Sequence, residues 1–256
     1  MNAWLAKIGI GRALLSVTMA LATSLSMVFA FPLACRAELR EPFSVSAAAW
    51  ELPDGVYLFG ESTTAHLSRT GGVLDGAGRE RVLRDRSGTR LLDRRILASP
   101  VECGGEVVPF SAALERLQPR VLVLSFGLNG LSRFSASYEA FLADYRALIE
   151  GVRRISPDTR ILLQSVYPVG QNEVFSADVD ALNATIAALN ARISTLADGV
   201  AYVRYLDTAA LLRDGDGRLC AAFDLGDGIH LTNDAYRVLL PRICSACNEW
   251  LSEVAE

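Results

Sequence analysis

Val56-Tyr57-Leu58-Phe59-Gly60-Glu61-Ser62-Thr63-Thr64 runs four apolar residues into a glycine, an acid and three hydroxyl side chains. An apolar run this short, rich in Val and aromatics and closed by glycine, reads as a strand buried on both faces. The hydroxyl residues after it suit the N-cap and first turn of a helix. The same signature recurs along the chain: Val121 to Phe126, Ile161 to Val166 and Val200 to Leu206 are further short apolar runs. Between them Tyr138, Phe141, Leu142, Tyr145, Leu148 and Val152 fall at helical spacing, as do Leu182, Ile186, Leu189 and Ile193. This alternation predicts an α/β domain built on a parallel sheet. A weaker strand is expected at Val82 and Leu83, and a closing helix from about Asn233 with Tyr236, Leu239, Leu240, Ile243 and Cys247 inward. Residues 98 to 110 read as an irregular surface excursion.

With 256 residues, 51% hydrophobic and 21% charged, the chain can build one domain with a sizeable core. The net charge of -4 and scattered basic residues speak against a polyanion partner. Even the densest basic stretch, Arg79 to Arg95, is interleaved with Glu80, Asp85 and Asp93 and has no aromatic for base stacking, so no nucleic acid is expected. At the amino terminus Lys7 and Arg12 precede the charge-free run Ala13 to Cys35. That is the pattern of an export signal. Pro32 interrupts its end, and Cys35-Arg36-Ala37 offers a small-x-small cleavage site, so cleavage is favoured over retention as a membrane anchor. The chain thus divides into an export signal or anchor (1–37), a linker (38–53) and a catalytic domain (54–256). Loss of the leader leaves Cys103, Cys220, Cys244 and Cys247, enough for two disulfides in an oxidising compartment. With His66 and His230 the only histidines, a disulfide or free thiols rather than a metal are expected at Cys244-Ser245-Ala246-Cys247, and the pairing cannot be read from the sequence.

In open α/β sheets the ligand crevice lies at the carboxyl ends of the strands. Ser62 stands at such an end, on a strand-to-helix turn that exposes a hydroxyl beside free helical N–H groups. The second glycine of Gly-x-Ser-x-Gly is absent, which argues against an α/β-hydrolase elbow. Asp227-Gly228-Ile229-His230 places a carboxylate where one turn folds it back onto Nδ1 of the imidazole, leaving Nε2 to take a proton. Phe126-Gly127-Leu128-Asn129-Gly130 follows the strongest apolar run, so the Asn129 carboxamide can donate into the crevice. Ser87-Gly88-Thr89 follows the weak second strand.

Taken in order, these blocks resemble those of the SGNH/GDSL hydrolases over roughly Gly55 to Leu251. The resemblance maps the family's Ser, Gly, Asn and His onto Ser62, Gly88, Asn129 and His230, with Asp227 as the acid partner and Gly104 or Gly105 as rivals for the glycine. It implies a three-layer α/β/α flavodoxin-like fold with about five strands. It also implies serine ester hydrolysis by a catalytic triad, an oxyanion hole from Ser62, Gly88 and Asn129, and no cofactor. Two positions depart from the family pattern: Glu61 stands where Asp is usual, and Gly130 where Asp commonly follows the asparagine. Glu61 and His66 are candidate pocket residues.

The expected substrate is a short acyl ester, an acetyl group on a cell-wall or other polysaccharide, reached by a secreted or membrane-attached enzyme. Small polar residues near the blocks (Thr63, Thr64, Ser87, Thr89, Ser132, Thr232) and the lack of an amphipathic lid motivate this. The alternatives are a lysophospholipase or lipid esterase, and a catalytically silent glycan-binding module. A nucleotide-binding domain is disfavoured because no Gly-x-Gly-x-x-Gly follows any strand.

Overall fold

In the computed structural model, whose described residues are 49–85, 96–129, 131, 138–171 and 178–253, the opening apolar run forms β1 (Val56–Gly60) and leads directly into α1 (Ser62–Leu67). A short α2 (Gly76–Glu80) and β2 (Val82–Leu83) follow. Next come β3 (Pro100–Cys103), β4 (Glu106–Pro109), α3 (Phe110–Leu117), β5 (Val121–Ser125) and α4 (Tyr138–Ile155). The chain continues through β6 (Arg160–Gln164), α5 (Val179–Ser194), β7 (Val203–Leu206) and α6 (Asn233–Ser252). The leader 1–37, Ser87, Gly88, Thr89, Gly130 and Ser132 lie outside the described residues.

The main sheet has the order β2-β1-β5-β6-β7 with every pairing parallel. Counted within this sheet, that is the 2-1-3-4-5 order of flavodoxin-like folds, whose switch point lies between the first and third strands. Here those are β1 and β5, and their register sets Gly60 beside Ser125. Glu61 and Phe126 therefore leave the sheet side by side, which is what brings the serine and asparagine blocks together.

Helices cover both faces, as the sequence predicts. Side chains alternate across each strand, so Phe59 and Leu124 face α3, α4 and α5 while Leu58 faces α1 and α6. The first face is cemented by aromatic rings: Phe59 stacks on Phe110 at 4.0 Å, and Phe126 meets Phe59 edge-on at 5.3 Å. The described chain is already packed before β1. Trp50 bridges to Leu74 and Leu52 is buried, so the last residues of the segment read as linker adhere to the domain.

Two expectations are corrected. Residues 98 to 110 are no irregular excursion: β3 and β4 pair antiparallel around Gly104-Gly105, both with positive φ (60° and 82°). Two glycines with positive φ between strands are the signature of a tight hairpin, and the Gly-Gly pair between Cys103 and Glu106 carried that signal. The four cysteines do not pair with one another. Cys103, Cys244 and Cys247 are free and buried, and Cys220 is disulfide-bonded. Cys244 and Cys247 sit on one helix facing the core, where burial pushes their thiols to about 11 and about 12. They pack as small apolar side chains.

Candidate active site

Gly60 must be a glycine, because a Cβ there would lie 2.4 Å from Thr64 Oγ1 and 2.5 Å from Ser125 O. That close approach lets α1 start one residue past the sheet, with Ser62 half-buried at its first position. Glu61 precedes it with extended backbone and makes no side-chain cap to its own helix. Its carboxylate turns instead to the next strand end, accepting N–H groups of Gly127 (3.1 Å), Leu128 (2.9 Å) and Asn129 (2.9 Å). Glu61 is only 3% exposed. The residue read as a pocket candidate thus faces the 127–129 turn.

Gly127 adopts φ of +136°, and a Cβ on it would strike Val166 Cγ2 at 2.6 Å. The turn can therefore close tightly and align three successive N–H groups on one anion.

The histidine arm is built within one loop. Asp227 Oδ1 accepts the N–H groups of Ile229 (2.9 Å) and His230 (2.7 Å), and its Oδ2 lies 2.5 Å from His230 Nδ1. Burial acts to raise the Asp227 carboxyl, but the hydrogen bonds from His230 and Ile229 outweigh it and hold the group below the usual carboxylate range. Asp224 Oδ1 braces the same loop by accepting N–H from Gly226 (2.8 Å) and Gly228 (2.9 Å). Thr232 caps α6, accepting from the Ala235 N–H, while its hydroxyl donates to Ala222 O at 3.1 Å.

Two contacts bring this arm to the serine turn. Tyr236 of α6 donates its hydroxyl to the carbonyl of Thr63, the residue after Ser62, at 2.7 Å. His66, one turn past Ser62, lies 5.9 Å from the His230 ring, centroid to centroid, and its Nδ1 is 3.4 Å from Tyr236 Oη. Burial, then the neighbouring His230, lowers the affinity of His66 for a proton. Among the described residues no hydrogen bond joins Ser62 Oγ to His230, and no group of three or more His, Cys, Asp or Glu side chains is placed to hold a metal ion.

The chain matches the GDSL-like Lipase/Acylhydrolase family over residues 58–238. It belongs to that family. The match spans the serine turn, the asparagine turn and the histidine arm. Among solved structures, the acylhydrolase is similar to a Bacteroides fragilis protein assigned to the acylhydrolases, with 19% identity, coverage of 83% of this chain and 92% of that one, and a TM-score of 0.55. It is also similar to a GDSL-like lipase from Bacteroides thetaiotaomicron, with 18% identity, coverage of 76% and 87%, and a TM-score of 0.52. These likenesses are of fold. No curated protein matches the chain.

Of the remaining predicted residues, Gly88 lies outside the described part of the acylhydrolase, and its rivals Gly104 and Gly105 form the exposed β3–β4 hairpin turn. Thr63 and Thr64 are buried and line a small cavity between α1, the sheet and α6, with Gln164, Tyr167 and Tyr236. With Thr232 engaged as a cap, these three threonines do not furnish the polar crevice the sequence suggested. Sequence reasoning missed Asp224, although Asp224-Leu225-Gly226 has the form of an Asx turn. It placed Tyr236 on the inner face of its helix but gave no sign of its hydrogen bond to Thr63.

Proposed function

We propose that the acylhydrolase cleaves esters with Ser62 as nucleophile, His230 as general base and acid, and Asp227 as its orienting carboxylate. Ser62 Oγ attacks the ester carbonyl as His230 Nε2 takes its proton. His230 then returns that proton to the leaving alcohol, and water repeats the cycle to free the acid. The Ser62 N–H and the Asn129 carboxamide stabilise the oxyanion, with Gly88 as the third donor the family pattern implies. The observation that carries this reading is the Asp227–His230 pair. Its carboxylate is gripped by backbone N–H groups, and Nδ1 is engaged so that Nε2 remains for the serine.

A fluorophosphonate probe is expected to label the wild-type protein and not Ser62→Ala. Hydrolysis of p-nitrophenyl acetate should fall by roughly 10⁴-fold or more in Ser62→Ala and in His230→Ala, with the double variant hardly worse. Multiplying losses in the double variant would overturn the triad.

The substrate we propose is a short acyl ester of a hydroxylated alcohol, an acetylated polysaccharide, met after export through the 1–37 leader. It is supported by the basic-then-apolar leader, since export brings an enzyme to wall and environmental polymers. One observation favours a second reading, a lysophospholipid or longer-chain ester. Leu225, two residues before Asp227, is 57% exposed and could meet an acyl chain. Comparing kcat/KM for p-nitrophenyl acetate, butyrate and palmitate, with acetate release from acetylated xylan and peptidoglycan, separates the two. Rates rising beyond about eight carbons without glycan deacetylation would replace the first reading by the second. Full-length protein found soluble in the cytoplasm would overturn export.

A further inference from the structure

The acid preceding the nucleophile is in an unusual position for a charge: it is buried within hydrogen-bonding distance of the turn that carries Asn129, next to where an oxyanion would form. We propose that Glu61 is a positioning residue that sets the Asn129 carboxamide relative to Ser62, an inference that rests on the serine-esterase reading. Glu61 grips the neighbouring strand end twice. Its N–H donates to Ser125 O at 3.1 Å, and its two carboxylate oxygens accept the three consecutive N–H groups of 127–129. Because Ser62 is the next residue, any shift of the 127–129 turn against the nucleophile must break one of these bonds.

The charge is needed for a chemical reason. Oε1 serves Gly127 while Oε2 serves both Leu128 and Asn129, so both oxygens must be acceptors. An amide would present one N–H₂ donor to a backbone N–H, leaving a buried donor facing a donor. The three N–H dipoles also neutralise the carboxylate locally, which tempers its repulsion of a developing oxyanion. Since these N–H groups are committed to Glu61, the turn contributes to the oxyanion through the Asn129 side chain alone, and that side chain is only as well placed as the turn.

The test is a double-mutant cycle on p-nitrophenyl acetate. Glu61→Gln should lower kcat about 100-fold, as misplacement of a catalytic group by an ångström does, with KM within about twofold. Asn129→Ala should cost about 10²- to 10³-fold in kcat. In the Asn129→Ala background, Glu61→Gln should cost less than about 3-fold more, because the group it positions is gone. Its thermal destabilisation should be the same in both backgrounds. Glu61→Asp keeps the carboxylate and shortens its reach by one methylene; it should retain more activity than Glu61→Gln and serves if the amide variant fails to fold. Backbone amide exchange at Gly127, Leu128 and Asn129 should quicken in both Glu61 variants.

Independent, multiplying losses in kcat, or an effect confined to KM, would overturn the positioning role. So would unchanged amide exchange. A wild-type protein without esterase activity would instead sink the serine-esterase reading, and the amide-exchange result would then judge the hold of Glu61 on the turn by itself.

Discussion

The carboxylates of Asp227 and Glu61 both collect backbone N–H groups, over very different spans of chain. Asp227 takes donors two and three residues ahead of it, and Glu61 takes donors 66 to 68 residues away. The first site remains open, with the Asp227 side chain 48% and His230 33% exposed, whereas Glu61 is sealed. A local loop can stay open because the covalent chain supplies most of its geometry. A contact between distant segments must order both before it gains anything, so it survives only when burial and complete hydrogen bonding support it. The histidine arm should therefore behave as a chemical device with little bearing on stability, and the serine–asparagine side as a device in which chemistry and stability are joined.

That contrast can be broken by experiment, beginning with the largest effect. Asp227→Asn should lower kcat for p-nitrophenyl acetate about 10⁴-fold, because the amide no longer enforces the tautomer that leaves Nε2 basic. Its melting temperature should barely move. A substantial drop in stability would mean the arm is as structural as the opposite side. Gly127→Ala should do the reverse in emphasis. Forcing a Cβ into φ of +136° against Val166 should cost about 2 kcal/mol in urea denaturation and slow hydrolysis as the turn shifts. Wild-type stability in this variant would show that the 127–129 turn is softer than its packing implies.

Tyr236→Phe sharpens the comparison, since Tyr236 joins the two sides. Losing the hydroxyl that donates to Thr63 O should cost about 1 kcal/mol of stability, and kcat should fall about 10-fold with KM unchanged. Activity equal to wild type would mean that the two sides hold their separation without this bond. The smallest effect concerns His66. Its proton affinity is lowered in the folded state, so near its ordinary pKa the unfolded chain holds a proton the folded chain does not. Stability should therefore fall as the pH drops from about 7 toward 5. His66→Asn should flatten that decline in melting temperature, and an unchanged pH slope would assign it to other groups.

The split between local and distant also marks what could be read from the residues in order. Strand runs such as Val121 to Ser125 and the long helix from Tyr138 were legible because periodicity is a local property of the chain. The Asp227–His230 pair was legible for the same reason, since one turn of backbone brings the two together. The β3–β4 hairpin was equally local but went unread, because Gly104-Gly105 was weighed as a source of an oxyanion N–H rather than as a turn. The cysteines misled for the opposite reason. Helical spacing set Cys247 inward, but spacing along the chain does not decide which thiols pair.

The sequence by itself determined the α/β class, the order of the serine, asparagine and histidine blocks, and the internal geometry of the histidine arm, all properties carried within a few residues of chain. Only the tertiary structure decided that Glu61 turns from its own helix to the 127–129 turn, that Thr63 and Thr64 face inward, and that Tyr236 meets Thr63 and His66 meets His230. Those contacts join segments 66 to 173 residues apart. Their partners are chosen by the parallel register that sets Gly60 beside Ser125 and by the helix packing over it, and no local pattern of residues encodes that choice.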